Sequence, residues 1–184
     1  MKNIILIGFM GSGKTTVAHL VGKALKMNVV EMDDLVLKNS KRKSINEIFE
    51  KDGEIRFREL EIETARSIKD LDNTVISTGG GVVMNKIILD YLRQNGVVVY
   101  LDTSFYEIQK RLEKTSDRPL FKNILAARKL FEFRNPLYDF FSEYMVTTND
   151  KDPQAVASEV VKKVKEPGFT PSTSHSSLSS RMKK

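Results

Sequence analysis

One eight-residue run near the start of the chain, GFMGSGKT at residues 8–15, constrains the fold more than any other segment. It matches the pattern G-x-x-x-x-G-K-[ST], whose glycines let the backbone turn tightly so that several N–H groups point at one oxyanion. In this pattern Lys14 places a positive charge on the β- and γ-phosphates of a nucleotide, and Thr15 offers its hydroxyl to Mg²⁺. The run lies between an apolar segment and an amphipathic one, so we expect a buried strand, a phosphate-binding loop (P-loop) and a helix whose N-terminus faces the phosphates.

Composition excludes several other kinds of site. The 184 residues include no cysteine and two histidines, which excludes disulfides and Cys-based zinc sites and argues against a Ser-His-Asp triad. Apolar runs are far shorter than the ~20 residues of a membrane span, and no signal-peptide cleavage site follows the first run. We therefore expect a cytoplasmic protein, a monomer, without a membrane partner. The net charge of +6 favours an anionic small substrate and a nucleotide over nucleic acid, because no RNA-binding signature accompanies it.

Short β-branched runs alternate with helical stretches along the chain, which predicts an α/β protein with a largely parallel sheet. Strands are predicted at 3–7, 28–32, 74–77, 96–101 and 144–147. Helices are predicted at 14–26, 45–51, 54–69, 85–94, 104–114, 123–141 and 153–165, with the helix at 123–141 interrupted by Pro136. Residues 167–184 contain almost nothing apolar, so we expect this tail to be disordered.

The class of P-loop protein can be narrowed from the sequence. An N-K-x-D base-recognition run and a D-x-x-G switch, both typical of GTPases, are missing from it, and a motor of the AAA type needs a longer chain. Short P-loop kinases that act on nucleotides or small metabolites remain.

Six segments occur in an order that is more specific than any one of them. They are GFMGSGKTT, EMDD, IFEKDGEIRFRELE, STGGGVV, DRPLF and FRNPLY. Together they resemble the shikimate kinase family over roughly residues 3–165. The resemblance implies transfer of the γ-phosphate of ATP, with Mg²⁺, to the 3-hydroxyl of shikimate, a step in making aromatic amino acids.

The resemblance also implies an architecture. It predicts a three-layer α/β/α domain at residues 1–166, with a five-stranded parallel sheet of the P-loop NTPase, nucleoside-monophosphate-kinase-like class. A helical substrate-binding insert is expected at about 34–60 and a lid over ATP at about 114–124.

The acidic run Glu31-Met32-Asp33-Asp34 follows a predicted strand, at the end where α/β sheets bind ligands. A carboxylate there can accept a substrate hydroxyl and take its proton, although a helix N-cap is an alternative role. The family usually has Asp-x-Asp, with the first residue near Mg²⁺ and the second touching substrate. When residues are counted forward from the P-loop, Glu31 takes the place near Mg²⁺, which it would contact through a water, and Asp33 takes the place that touches substrate. When they are counted back from Ser44, Asp34 takes the place that touches substrate. We prefer Asp33, because the path from the P-loop to the strand end is rigid.

Two arginines are candidates for binding a carboxylate. Arg134 lies within an apolar stripe of its predicted helix, and burying it without an anionic partner would be costly. Its neighbours on that stripe are Leu130, Leu137, Tyr138 and Phe141. An internal salt bridge is one possible partner and a substrate carboxylate is the other. The resemblance assigns both Arg134 and Arg58 to the substrate carboxylate, which a planar guanidinium can bind through two hydrogen bonds.

The triplet Gly79-Gly80-Gly81 also follows a predicted strand, where it is either a flexible loop or a close approach to a ligand. The resemblance assigns it to the ring hydroxyls of the substrate. It also makes Arg118, in the predicted lid, a catalytic residue that neutralises charge on the transferring phosphoryl group. The expected ATP-binding residues are Gly11, Ser12, Gly13, Lys14, Thr15, Thr16 and Arg118.

Two other functions remain open at this point. The chain could phosphorylate another small metabolite, such as gluconate or a nucleotide. It could also be a non-catalytic homologue that binds a nucleotide without turning it over.

Overall fold

A computed structural model describes residues 2–113 and 123–166. Its five strands are β1 (Asn3–Ile7), β2 (Asn28–Glu31), β3 (Thr74–Ser77), β4 (Gly96–Asp102) and β5 (Tyr144–Thr147). They form one sheet in the order β2-β3-β1-β4-β5, and every neighbouring pair is parallel. The predicted five-stranded parallel sheet is thereby confirmed. Strand β1 lies at its centre, so the P-loop that follows β1 emerges in the middle of the ligand-binding edge.

Eight helices are described around this sheet. They are α1 (Lys14–Leu25), α2 (Met32–Ser40), α3 (Ile45–Lys51), α4 (Gly53–Ile68), α5 (Lys86–Arg93), α6 (Phe105–Leu112), α7 (Ile124–Phe141) and α8 (Pro153–Lys165). A single 3-10 turn, Val82–Met84, follows the glycine triplet. Within the described ranges no helix combines the length and the apolar character needed to cross a bilayer.

The central strand separates two cores because successive side chains of a strand point to opposite faces. Ile5 and Ile7 belong to a core with residues of α5, α6 and α7, whereas Ile4 and Leu6 belong to a core with α1 and α8. The three-layer α/β/α arrangement follows directly from this alternation. Continuous apolar runs such as residues 97–101 are expected in a strand that is covered on both faces.

A third, smaller core joins α2, α3 and α4. It consists of Val36, Ile48, Phe57 and Leu60. The far end of α4 packs on the main core instead, through Ala65 and Ile68. The segment proposed as an insert at about 34–60 is therefore helical and has apolar packing of its own.

Several predicted boundaries differ from the structure by one or two residues, and two differences have a clear physical reason. Strand β2 ends at Glu31, one residue early, because the buried Met32 already begins α2, whose first turn carries Asp33 and Asp34. Acidic residues stabilise the positive end of a helix, which favours this start. Helix α7 also continues through Pro136 rather than breaking there. The buried residues Ala127 and Tyr138 hold it to the core on both sides of the proline, so packing outweighs the missing N–H.

Candidate active site

The P-loop follows β1 and has the backbone that its glycines permit. Gly8, Gly11 and Gly13 all have positive φ angles, at 150°, 80° and 93°. A Cβ atom on Gly8 would lie 2.9 Å from the carbonyl oxygen of Leu101, so this position excludes larger residues. Helix α1 begins at Lys14, and its free N–H groups therefore face the space above the loop.

Lys14 is buried although it carries a charge. Its Nζ donates hydrogen bonds to the carbonyl oxygens of Gly8 at 2.8 Å and Phe9 at 3.0 Å. The side chain therefore folds back along the loop that it belongs to. Its positive charge is held at the phosphate cradle before any ligand binds.

A cleft of about 250 Å³ opens beside the P-loop at the carboxyl ends of the strands. It is lined by Met10, Gly11, Gly13, Lys14, Thr15, Thr16, Glu31, Asp33, Ser77, Thr78 and Gly80. The structure thus brings most of the predicted phosphate-binding residues together with Asp33. Asp33 and Asp34 are both exposed in this helical turn, but Asp34 is not part of the lining.

Each glycine of the triplet lies against a different neighbour, and Gly80 also lines the cleft. A Cβ on Gly79 would lie 2.6 Å from Oδ1 of Asp33, and one on Gly81 would lie 2.5 Å from Nη1 of Arg58. A Cβ on Gly80 would lie 3.3 Å from the backbone nitrogen of Met10 in the P-loop. The triplet is therefore a tightly packed segment between the P-loop, the acidic run and α4.

Arg58 is held beside the triplet by acidic neighbours on α4. It forms ion pairs with Glu61 at 2.7 Å and Glu54 at 3.0 Å, and it lies 5.1 Å from the ring centre of Phe57. Glu61 is 1% exposed. Burial raises the pKa of Glu61 above its ordinary value, while the charge of Arg58 acts in the opposite direction.

Arg134 approaches the triplet from α7 on the other side. Its Nη1 donates a hydrogen bond to the carbonyl oxygen of Gly80 at 3.3 Å, and the residue is only 9% exposed. Its buried Nε has no hydrogen-bond partner, and no described carboxylate forms an ion pair with it. Burial lowers the pKa of Arg134, as does the charge of Arg58, while Tyr138 and the carboxylate of Glu61 act in the opposite direction. The sequence left open whether Arg134 pairs with a carboxylate of this chain or with a substrate carboxylate. Within residues 2–113 and 123–166, no carboxylate forms a salt bridge with it.

A second cleft of about 300 Å³ lies on the other side of the P-loop. Its lining includes Ser12, Gly13 and Thr16, which lie in or directly after the P-loop, together with Arg111 and Pro153. Arg111 is fixed there, with Nε donating to Glu107 at 2.9 Å and Nη2 donating to the carbonyl oxygen of Thr148 at 2.8 Å. A fixed planar guanidinium and a proline ring offer flat surfaces to an aromatic base. This cleft can hold the base of a nucleotide whose phosphates lie on the P-loop.

Sequence reasoning missed three residues of the site. Arg111 gave no signal because its contacts with the P-loop span about 100 positions of the chain. Glu61 gave a signal that was overlooked, since a carboxylate on the apolar face of a helix needs a partner just as Arg134 does. Tyr138, whose hydroxyl contacts Gly80, looked like an ordinary core residue. Arg118 and most of the predicted lid lie outside the described residues.

Comparisons with known proteins identify the family of the chain. A family model described as Shikimate kinase matches residues 10–165. The chain is 44% identical over 168 residues to a shikimate kinase of Caldanaerobacter subterraneus, covering 88% of this chain and 95% of the relative. It is 39% identical over 166 residues to one of Sulfurihydrogenibium, covering 90% and 99%.

Solved structures give the same result. A shikimate kinase of Acinetobacter baumannii, in complex with shikimate, matches with a TM-score of 0.82 and 30% identity, covering 89% of this chain and 93% of that one. The enzyme of Aquifex aeolicus matches with a TM-score of 0.74 and 35% identity, covering 88% and 95%. The chain has a P-loop, an acidic run and two arginines around one glycine triplet, and these relatives match nearly its whole folded length. It therefore belongs to the shikimate kinase family.

Proposed function

We propose that this chain transfers the γ-phosphate of ATP to the 3-hydroxyl of shikimate. The observation that carries the proposal is the placement of Arg134, a buried arginine that has no ion-pair partner among the described residues, opposite Arg58 across the glycine triplet. Two guanidinium groups at one place call for an anionic ligand, and a carboxylate can bind both. The similar enzyme of Acinetobacter baumannii was solved with shikimate, a ring that carries one carboxylate and several hydroxyls.

At the acceptor end, this chain's residues bind and orient the substrate. Arg58 and Arg134 hold the carboxylate, while the glycine triplet lies along the ring. Asp33, in the cleft beside Lys14, accepts the hydrogen bond of the attacking hydroxyl and is placed to take its proton. Asp34, exposed on the same turn, remains the alternative that mutation can test. Helices α2 and α3 and the first half of α4 then form the acceptor-binding insert.

At the donor end, the chain's task is to fix the phosphates and balance their charge. Phosphoryl transfer needs positioning and electrostatic stabilisation more than covalent chemistry. The N–H groups of the P-loop and of the first turn of α1 hold the phosphates, and Lys14 places its charge on the group that moves. The cleft at Arg111 and Pro153 holds the adenine base. Arg118 is proposed to neutralise charge on the same group from the lid.

The residues beside the P-loop also fit a magnesium ion. Oγ1 of Thr15 donates to Oε2 of Glu31 at 3.0 Å, and the other carboxylate oxygen of Glu31 is buried with no hydrogen-bond partner and lies 3.8 Å from Nε2 of His19. Hydroxyl and carboxylate oxygens are the ligands that Mg²⁺ prefers. We propose that Thr15 binds the ion directly and that Glu31 does so through a water. When bound, Mg²⁺ neutralises charge on the phosphate oxygens of ATP.

Replacing Glu61 with glutamine tests whether its ion pair with Arg58 positions that arginine for the substrate. Because burial raises the pKa of Glu61 in the folded protein, its contribution to stability is present below the ordinary pKa and is lost as the pH rises through the raised value. At pH 7 burial opposes the ionised carboxyl, but its ion pair with Arg58 acts against that cost and raises the pKa of Arg58. We expect Glu61→Gln to raise KM for shikimate about tenfold, because Arg58 loses its charged partner, and to lower the free energy of unfolding at pH 7 by about 1–3 kcal/mol.

The control is Glu54→Gln, which removes the more exposed partner of the same arginine. Urea unfolding at pH 7 and steady-state kinetics measure both variants. A Glu61→Gln protein that is clearly less stable but has the KM of the wild type would contradict this reading.

Release of ADP tests the proposed function. Purified protein with ATP and Mg²⁺ should release ADP when shikimate is added, and much less with gluconate or a nucleoside monophosphate. Turnover with gluconate or a nucleotide in place of shikimate would support the first alternative function, and ATP binding without turnover on any acceptor would support the second. We also propose that the protein works as a cytoplasmic monomer without a nucleic-acid or membrane partner, and light scattering of the purified protein checks its mass.

A further inference from the structure

The carbonyl of Gly80 is held by two side chains of one helix. It accepts a hydrogen bond from the hydroxyl of Tyr138 at 2.5 Å and another from Nη1 of Arg134 at 3.3 Å. These residues are four positions apart on α7, so both side chains project from the same face of the helix. Because a trans peptide is planar, fixing this carbonyl also fixes the direction of the N–H of Gly81 on its opposite edge.

The hydroxyl of Tyr138 keeps its proton. The residue is fully buried, and burial raises the pKa of its phenol well above the ordinary value. A carbonyl oxygen can only accept, so the protonated hydroxyl of Tyr138 is the donor in this bond at neutral pH.

The ring of Tyr138 is fixed in turn against the sheet. It stacks on the ring of Tyr100 in β4, with centroids 5.4 Å apart and planes 20° apart. The hydroxyl of Tyr100 contacts the side-chain oxygens of Asn135 at 2.6 Å and Asp102 at 3.1 Å. Tyr138 thus links a rigid strand to the peptide group that lies between Asp33, Arg58 and the P-loop.

We propose that Tyr138 is a positioning residue for the acceptor site. It orients the Gly80–Gly81 peptide and, by sharing the carbonyl with Arg134, sets the place of that guanidinium. The inference rests on the proposed function, since it concerns how the same acceptor site is held open for a carboxylate ring. It predicts that the tyrosine hydroxyl acts on binding of the acceptor and has little effect on ATP.

Tyr138→Phe tests this by removing one oxygen while keeping the ring and its stack. The Gly80 carbonyl keeps its bond to Arg134, so we expect the variant to fold. KM for shikimate, and its Kd measured by calorimetry, should rise about tenfold, while KM for ATP changes by less than about twofold. The matched control is Tyr100→Phe, which removes the hydroxyl of the other buried ring without touching Gly80. It should leave KM for shikimate within about twofold of the wild type even if it lowers the melting temperature.

A double-mutant cycle adds a readout that a merely structural role would not move. Tyr138→Phe should have a clearly smaller effect on KM for shikimate in an Arg134→Gln background than in the wild type, because both residues act through Gly80. Equal effects in the two backgrounds, an unchanged KM for shikimate, or equal rises for shikimate and ATP would overturn the inference while leaving the kinase activity of the wild type in place. A wild-type protein that neither binds nor phosphorylates shikimate would overturn both the inference and the proposed function.

Discussion

Lys14→Met should lower kcat by about a thousandfold or more while leaving a folded protein. The methionine keeps much of the length and volume of the side chain but removes its charge. Nζ donates to the carbonyl oxygens of Gly8 and Phe9, so the charge already lies at the P-loop when ATP arrives. Steady-state kinetics with saturating ATP and shikimate measure the loss.

The control is Lys23→Met, which removes an exposed lysine from the last turn of the same helix. It should leave kcat within about twofold of the wild type, as most surface substitutions do. Thermal unfolding of both variants shows whether Lys14→Met is folded. A folded Lys14→Met protein with kcat near that of the wild type would contradict the role given to Lys14.

Asp33→Asn should lower kcat by about a hundredfold or more, the usual scale for loss of a general base. Asparagine keeps the shape of the side chain but cannot take a proton from the attacking hydroxyl. Asp34→Asn is the matched control, because it makes the same change one residue along the same helical turn. It should alter kcat by less than about threefold.

The ranking of these two variants decides how the acidic run is aligned with the family. A larger loss with Asp34→Asn would mean that the alignment counted back from Ser44 is the correct one and that Asp34 is the substrate carboxylate. The structure favours Asp33 because it lines the cleft beside Lys14 and lies against Gly79, whereas Asp34 does neither.

The fold was the part most open to prediction from sequence. Short apolar, β-branched runs predicted the five strands, and the helices predicted near residues 45 and 104 begin behind Ser44 and Ser104, whose hydroxyls accept from backbone N–H groups. These signals come from residues that are close together in sequence, so they can be recognised without a structure. The continuous α7 shows the limit, since the packing that outweighs Pro136 comes from residues distant in sequence.

The site could be predicted where a residue conflicted with its surroundings. Arg134 stood out as a charge on an apolar stripe, and the glycine triplet stood out at the end of a strand. Tyr138 could not stand out, because a tyrosine suits an apolar stripe and its partner Gly80 lies 58 positions away. Arg111 likewise looked like one half of an ordinary surface ion pair with Glu107 until the fold brought it to the P-loop.

Phosphorus NMR of a reaction mixture tests the central claim most directly. With protein, ATP, Mg²⁺ and shikimate, the signal of the γ-phosphate should fall as a phosphate monoester signal of equal area appears, and proton coupling should place that ester on the 3-hydroxyl of shikimate. No such ester should form in a sample that contains the Lys14→Met variant. Loss of the γ-phosphate only to inorganic phosphate, or an ester at another hydroxyl, would contradict the proposed transfer.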